Sequence, residues 1–161
     1  MKKLALIAAL IIGVSAVAAA QPRAIGVNIG SSFDVSYQHY IGSNVLDCTL
    51  SAPLFMGIGT TVTYDWVDPF NATIPWNYKG EWHWQLGAGA SAGMYWNPVV
   101  TQSLFGYAGA AGHVGVAYDF WFPLEISVDW RPTFGPSFGE GGVHFYSMGC
   151  IGTTIGVRYL F

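Results

Sequence analysis

Charge is what this chain has least of. Asp, Glu, Lys and Arg make up 9% of its 161 residues, against about 25% in an ordinary soluble domain. Aromatic residues reach 16%, and a water-facing surface is hard to build from that mixture. Basic residues are fewer still. Beyond Lys3 there are only Arg23, Lys79, Arg131 and Arg158, which form no run or patch, so no nucleic-acid partner is expected. Cysteine is limited to Cys48 and Cys150, and neither lies close enough to the N-terminal segment to serve as a lipoprotein anchor. After Ala20 no stretch offers the ~18 consecutive apolar residues that a membrane helix needs. A chain this apolar without helical spans fits the other structure that satisfies every backbone group in a bilayer, the closed β-barrel.

What is present begins with an address. Lys2-Lys3, an apolar run from Leu4 and the closing Ala18-Ala19-Ala20 have the three zones of a secretory signal peptide. The expected division is therefore a signal peptide over 1–20 and one barrel domain over 21–161. A membrane anchor is the rival for the first segment, but that segment ends in small residues and no positive flank follows. Without it, four basic residues face nine acidic ones. The secretory route permits a Cys48–Cys150 disulfide. The strand pattern, however, puts Cys48 outward near one end and Cys150 inward near the other, beyond the ~7 Å Cα ceiling for a bridge. Two free thiols are expected.

Alternation punctuated by turn residues predicts eight strands. The first two run from Ala24 to Gly30 and from Ser32 to Ile41. A third follows Gly42-Ser43-Asn44 and ends near Leu54, and a fourth reaches Val67. Asp68 to Gly80, with two prolines and two asparagines, reads as a connection. Glu81 to Trp96 alternates most plainly, with Trp82, Trp84, Leu86, Ala88, Ala90, Ala92 and Met94 opposing a polar and glycine face. Strands over Gly106–Phe120 and Leu124–Phe134 follow. A Gly- and Pro-rich loop over Gly135–Tyr146 then precedes the closing strand. The fold predicted is all-β, an eight-stranded antiparallel up-and-down transmembrane barrel.

An even count puts both termini at one end, the periplasmic end in bacterial barrels. The thirteen-residue Asp68–Gly80 segment is long for a periplasmic turn, so either it is an insertion or an early hairpin is miscounted. Tyr37, Tyr40, Trp66, Phe120, Trp121, Phe122, Tyr159 and Phe161 fall at the presumed periplasmic rim, where amphipathic rings suit the headgroup level.

The chain ends Thr154-Ile155-Gly156-Val157-Arg158-Tyr159-Leu160-Phe161. Ile155, Val157, Tyr159 and Phe161 take one face, Thr154, Gly156, Arg158 and Leu160 the other. The placing of Thr154, Gly156, Tyr159 and Phe161 resembles the C-terminal signal read by the barrel assembly machinery, which that resemblance implies as a partner during biogenesis. Three more segments carry a family likeness: Ala24 to Gly30, Val35 to Tyr40, and Leu124 to Pro132. With Gly156 to Phe161 they resemble the small outer-membrane barrels of Bacteroidota and, more distantly, the membrane domain of outer-membrane protein A and the opacity and adhesion barrels. The resemblance implies a Gram-negative cell outer membrane and an architecture, and no activity.

An eight-stranded barrel has an interior just wide enough for side chains to fill. The predicted inward set holds Asp34, Asp47, Asp65, Glu81, Asp119, Glu125, Asp129, Arg131 and Arg158. Two arginines cannot offset seven carboxylates, so several acids are expected near water at the barrel ends. Pairing across the last hairpin sets Glu125 diagonally opposite Arg158, with Asp119 beside Glu125 through the Trp121–Pro123 turn. The expected lumen cluster is Asp119, Glu125, Asp129, Arg131 and Arg158, as structural glue. His113, Asp119 and Ser127 form a conceivable hydrolase or acyltransferase set, but no nucleophile elbow accompanies them. His83 with Glu81 offers two metal ligands at commonplace spacing. Inner glycines such as Gly87, Gly93, Gly115, Gly152 and Gly156 either open a passage or make room for bulky neighbours such as Tyr95 and Tyr107.

The expected function is thus a monomeric outer-membrane barrel in contact with lipid, with a structural or surface-interaction role, no catalysis, no metal and no cofactor. The alternatives are a narrow, porin-like channel for small solutes, a lipid-modifying enzyme, and a soluble ligand-binding barrel.

Overall fold

In the computed structural model the period-two pattern becomes ten β-strands. The described residues are 22–52, 57–69, 79–97, 103–139, 142–148 and 153–161. The expected signal peptide, Cys150, Gly152 and most of the Asp68–Gly80 connection lie outside them. The strands are β1 (Pro22–Gly30), β2 (Phe33–Ile41), β3 (Asn44–Ala52), β4 (Gly57–Pro69), β5 (Gly80–Asn97), β6 (Ser103–Phe120), β7 (Leu124–Trp130), β8 (Thr133–Gly139), β9 (Gly142–Met148) and β10 (Thr154–Leu160).

Neighbours pair antiparallel in the order β5-β4-β3-β2-β1-β10-β7-β6, and a β5–β6 ladder from Gly80↔Phe120 to Asn97↔Ser103 closes the ring. The result is the closed eight-stranded barrel that the alternation predicts. Val27 opposes Val35, and Cys48 opposes Val62, so the two early hairpins stand as counted and the miscount alternative falls away. Gly42, at φ 67°, takes the left-handed conformation that the two-residue turn between β2 and β3 requires.

Two expectations are corrected. The seventh strand does not run unbroken to Phe134. It stops at Trp130, and β8 resumes at Thr133, with the Gly112 amide donating to the Pro132 carbonyl (2.8 Å) across the break. Nor is Gly135–Tyr146 a loop. It lies within the β8–β9 hairpin, paired from Thr133↔Met148 to Gly139↔Gly142. Two of the glycines that suggest a loop, Gly135 and Gly139, are there for close approach, and Gly142, at φ 108°, serves the hairpin turn. A Cβ on Gly135 would stand against the backbone of Ala108 and Gly109, and one on Gly139 against the Phe105 ring.

The walls are unequal. β1, β2 and β3 have 9 residues each, whereas β5 and β6 have 18. β6 pairs with β7 over Val114–Asp119 and then with β8 over Gly106–Ala111, so β5, β6, β8 and β9 rise together beyond the rest of the ring.

Burial is inverted relative to a water-soluble domain. Among the described residues six apolar side chains are buried, against twenty-one polar or charged ones. The outer wall is apolar: Ile25, Val27 and Ile29 on β1, Val114 and Val116 on β6, Ile126 and Val128 on β7, and Ile155 and Val157 on β10 are exposed. Cys48 is free and half-buried.

Candidate functional site

The core is a polar network inside the ring, and it forms because alternation turns every second residue of the eight strands to one axis. Arg158, on β10, is fully buried. A guanidinium has five N–H donors, and here each finds an acceptor. Nε donates to Ser36 Oγ (3.0 Å), Nη1 to Glu125 Oε1 (2.6 Å) and Ser127 Oγ (2.7 Å), and Nη2 to Asp129 Oδ2 (2.9 Å) and Asn28 Oδ1 (3.2 Å). Glu125 is directly opposite Arg158 in register rather than diagonal to it.

Around this centre the charges alternate. Arg23 lies 2.6 Å from Glu125 Oε2 and donates to Gln38 Oε1. Gln38 donates to Asp47 Oδ2 (2.9 Å), and Arg131 donates to the same oxygen (3.0 Å) and to Thr49 Oγ1 (2.9 Å). Arg131 also stands 4.0 Å from Asp129. A ring of charge and hydrogen bonding therefore runs Arg23, Glu125, Arg158, Asp129, Arg131, Asp47, Gln38 and back to Arg23. It crosses the lumen from β1 to β3 and β7.

His113 extends the ring. Its Nδ1 lies 2.7 Å from Asp65 Oδ2 and its Nε2 3.0 Å from Asp129 Oδ1. Ionised carboxylates only accept, so each contact needs its own hydrogen, and the Asp65–His113–Asp129 triplet must hold two protons.

The sequence-predicted cluster is brought together in part. Glu125, Asp129 and Arg158 meet as expected, and Arg131 joins chiefly through Asp47. Asp119 does not reach Arg158. It sits at the barrel end, 30% exposed, 3.5 Å from Arg23 and 3.6 Å from His83. Of the seven inward acids, of which several were expected near water, Glu81 and Asp119 are there, while Asp34, Asp47, Asp65, Glu125 and Asp129 are buried.

Arg23 was absent from the predicted inward set, and the reason is local. The β1–β2 register shifts between Pro22 and Ala24, and this bulge turns both Arg23 and Ala24 inward, breaking the alternation. A third guanidinium in the lumen, beside buried Arg158 and half-buried Arg131, thus reduces the charge deficit that the sequence implies.

The other candidate sets are dispersed or already engaged. Ser127 donates to Asp129 (2.7 Å) and accepts from Arg158, and His113 is held between two aspartates, so neither forms a hydrolase set with Asp119. Glu81 is exposed while His83 is buried, which separates that pair. His83 instead joins Asp119 and Glu125 in a trio with metal-compatible spacing, as do Asp47, Asp65 and His113. The first trio surrounds the Arg23 guanidinium and the second adjoins that of Arg131, so protein cations stand where a metal charge would.

The inner glycines make room. A Cβ on Gly156 would meet Ser127 Oγ and Asn28 Oδ1, one on Gly87 would meet Asp65, and one on Gly93 would meet the Tyr107 ring. At the aromatic end, Tyr159 and Phe161 of the expected assembly signal stand edge to face on the outer wall (5.5 Å), and Thr154 and Gly156 face the lumen. No family model, curated protein or solved structure matches this chain.

Proposed function

We propose that the chain is an integral outer-membrane β-barrel with a structural or surface-interaction role and a lumen plugged by its own side chains. The observation that carries this reading is the inversion of burial: an apolar wall outside, and a charged, hydrogen-bonded core inside. Such a wall in water would expose a continuous apolar band, which soluble monomers avoid. In lipid it is the favoured surface, and the 9-residue strands β1 to β3 suit the 9–11 tilted residues of a membrane-spanning strand. The C-terminal Thr154, Gly156, Tyr159 and Phe161 pattern and the secretory N-terminus support the same location and the assembly machinery as a transient partner.

Among the described residues Ser127 and His113 are held by Asp129, Asp65 and Arg158 rather than aligned with each other for attack, which supports a structural role over a catalytic one. The network crossing the lumen supports a plugged barrel over a channel. Expression in a Gram-negative host tests the reading. The protein should fractionate with the outer membrane, need detergent for extraction, and migrate faster on gels unheated than boiled. Recovery as a detergent-free soluble monomer would contradict it. In a planar bilayer no single-channel steps are expected, and regular steps would favour the solute channel instead.

A further inference from the structure

The tall wall ends on an open edge. β9 pairs with β8, and among the described residues no strand pairs with its other side. Natural sheets blunt such edges with lysine, proline, bulges or short length. Gly142-Val143-His144-Phe145-Tyr146-Ser147-Met148 has none of these: no Lys, Arg, Asp, Glu or Pro, and an unbroken seven-residue register.

Which backbone groups face outward follows from Pro136. The β6–β8 ladder runs from Gly106↔Phe138 to Ala111↔Thr133 but skips Gly135 and Pro136, as expected if the missing proline N–H falls on the β6 side. Pro136↔Phe145 is then a non-hydrogen-bonded pair of the β8–β9 ladder. The hairpin supports the same parity, because Gly139↔Gly142, which flanks its two-residue loop, is the bonded closing pair of such a turn. The N–H and C=O of Val143, Phe145 and Ser147 therefore point to the free edge, and the side chains of Val143 (67% exposed) and Phe145 (78%) stand beside it on the outer face.

The edge also stands clear of the ring. From Val114, where the β7 ladder ends, to Gly106, opposite Phe138, is about 26 Å of strand at ~3.3 Å per residue, or about 20 Å of height at a barrel tilt near 40°.

We propose that this edge pairs antiparallel with β9 of a second copy, in register about Phe145. Phe145 then opposes Phe145 of that copy and Val143 opposes Ser147, an exchange of six backbone hydrogen bonds. No like charges face each other across the two-fold axis, which is the usual obstacle to self-pairing. Symmetry fixes the geometry. A two-fold that makes the strands antiparallel also reverses the barrels, so the partner copy is one in a facing membrane and not a neighbour in the same one. One strand pair lies below the ~800 Å² per partner of a standard interface. Single contacts are weak, and many copies on two apposed surfaces act together.

The inference rests on the outer-membrane reading for its setting, while edge pairing itself is readable in detergent. Protein reconstituted in phosphatidylcholine–phosphatidylglycerol vesicles, with insertion confirmed by flotation, should cluster the vesicles, and sedimentation in detergent should show a dimer fraction that rises with concentration. Phe145→Pro removes an N–H that β8 does not use, so the hairpin and the heat-modifiable gel mobility should survive while clustering and dimer are lost. Val143→Lys should do the same. Inserted wild-type protein that neither clusters vesicles nor dimerises would overturn the proposal, as would clustering unchanged in both variants. Failure to insert would count against the membrane reading alone, and detergent sedimentation would then decide the pairing.

Discussion

Arg158 spends every donor it has on groups that are themselves buried, which makes it the residue on which the lumen turns. Removing one partner of a buried ion pair costs about 3–5 kcal/mol, because the remaining charge is left without compensation. Arg158→Met takes from Glu125 and Asp129 the cation they share and leaves Arg23 and His113 to hold them, so a fall in the unfolding midpoint is expected, read as the temperature at which the fast-migrating gel band disappears. An unchanged midpoint would remove the network from any role in stability. Adding Glu125→Gln should recover part of the loss, and a double-mutant cycle measures the coupling. Gly156 gives a second test from the steric side. Gly156→Val would drive a side chain into Ser127 and Asn28, and should destabilise more than Ile155→Val, which only trims the outer wall.

At the scale of elements, each strand can be asked which neighbour it depends on. β8 and the upper half of β6 belong to the tall wall, whereas β7, β10 and β1 close the ring without them. Replacing Pro136 to Phe145 with Asn-Gly, which joins the bonded pair Gly135↔Tyr146 by a two-residue turn, should leave a folded, heat-modifiable barrel. Loss of folding would mean that the tall wall nucleates the ring. The same element shows where sequence reading stops. Strands such as Leu124–Trp130 were legible because every second side chain has one destination, and this alternation also set Glu125 and Arg158 on a common face. The β8–β9 hairpin was not, because its glycines and Pro136 carry the composition of a loop, while Gly135 and Gly139 in fact serve close approach to β6. Arg23 was hidden by a single bulge, which period-two reading cannot anticipate. His113 and Asp65 were visible as inward residues, but the 2.7 Å contact that joins them across strands is a tertiary fact.

For the whole molecule, few charges in the sequence and many charges in the core are one observation. The chain concentrates its scarce ionic groups on the barrel axis, where they pair, and leaves the outer wall to apolar and aromatic side chains. The central claim is that this wall meets lipid. Spin labels placed singly at Val27, Val128 and Val157, in a background with Cys48 and Cys150 replaced by alanine, test it directly in a bilayer. Relaxation by oxygen should be strong and by a water-soluble nickel chelate weak at all three positions. Strong nickel relaxation with weak oxygen relaxation there would mean that the apolar wall faces water, and the membrane barrel would be contradicted.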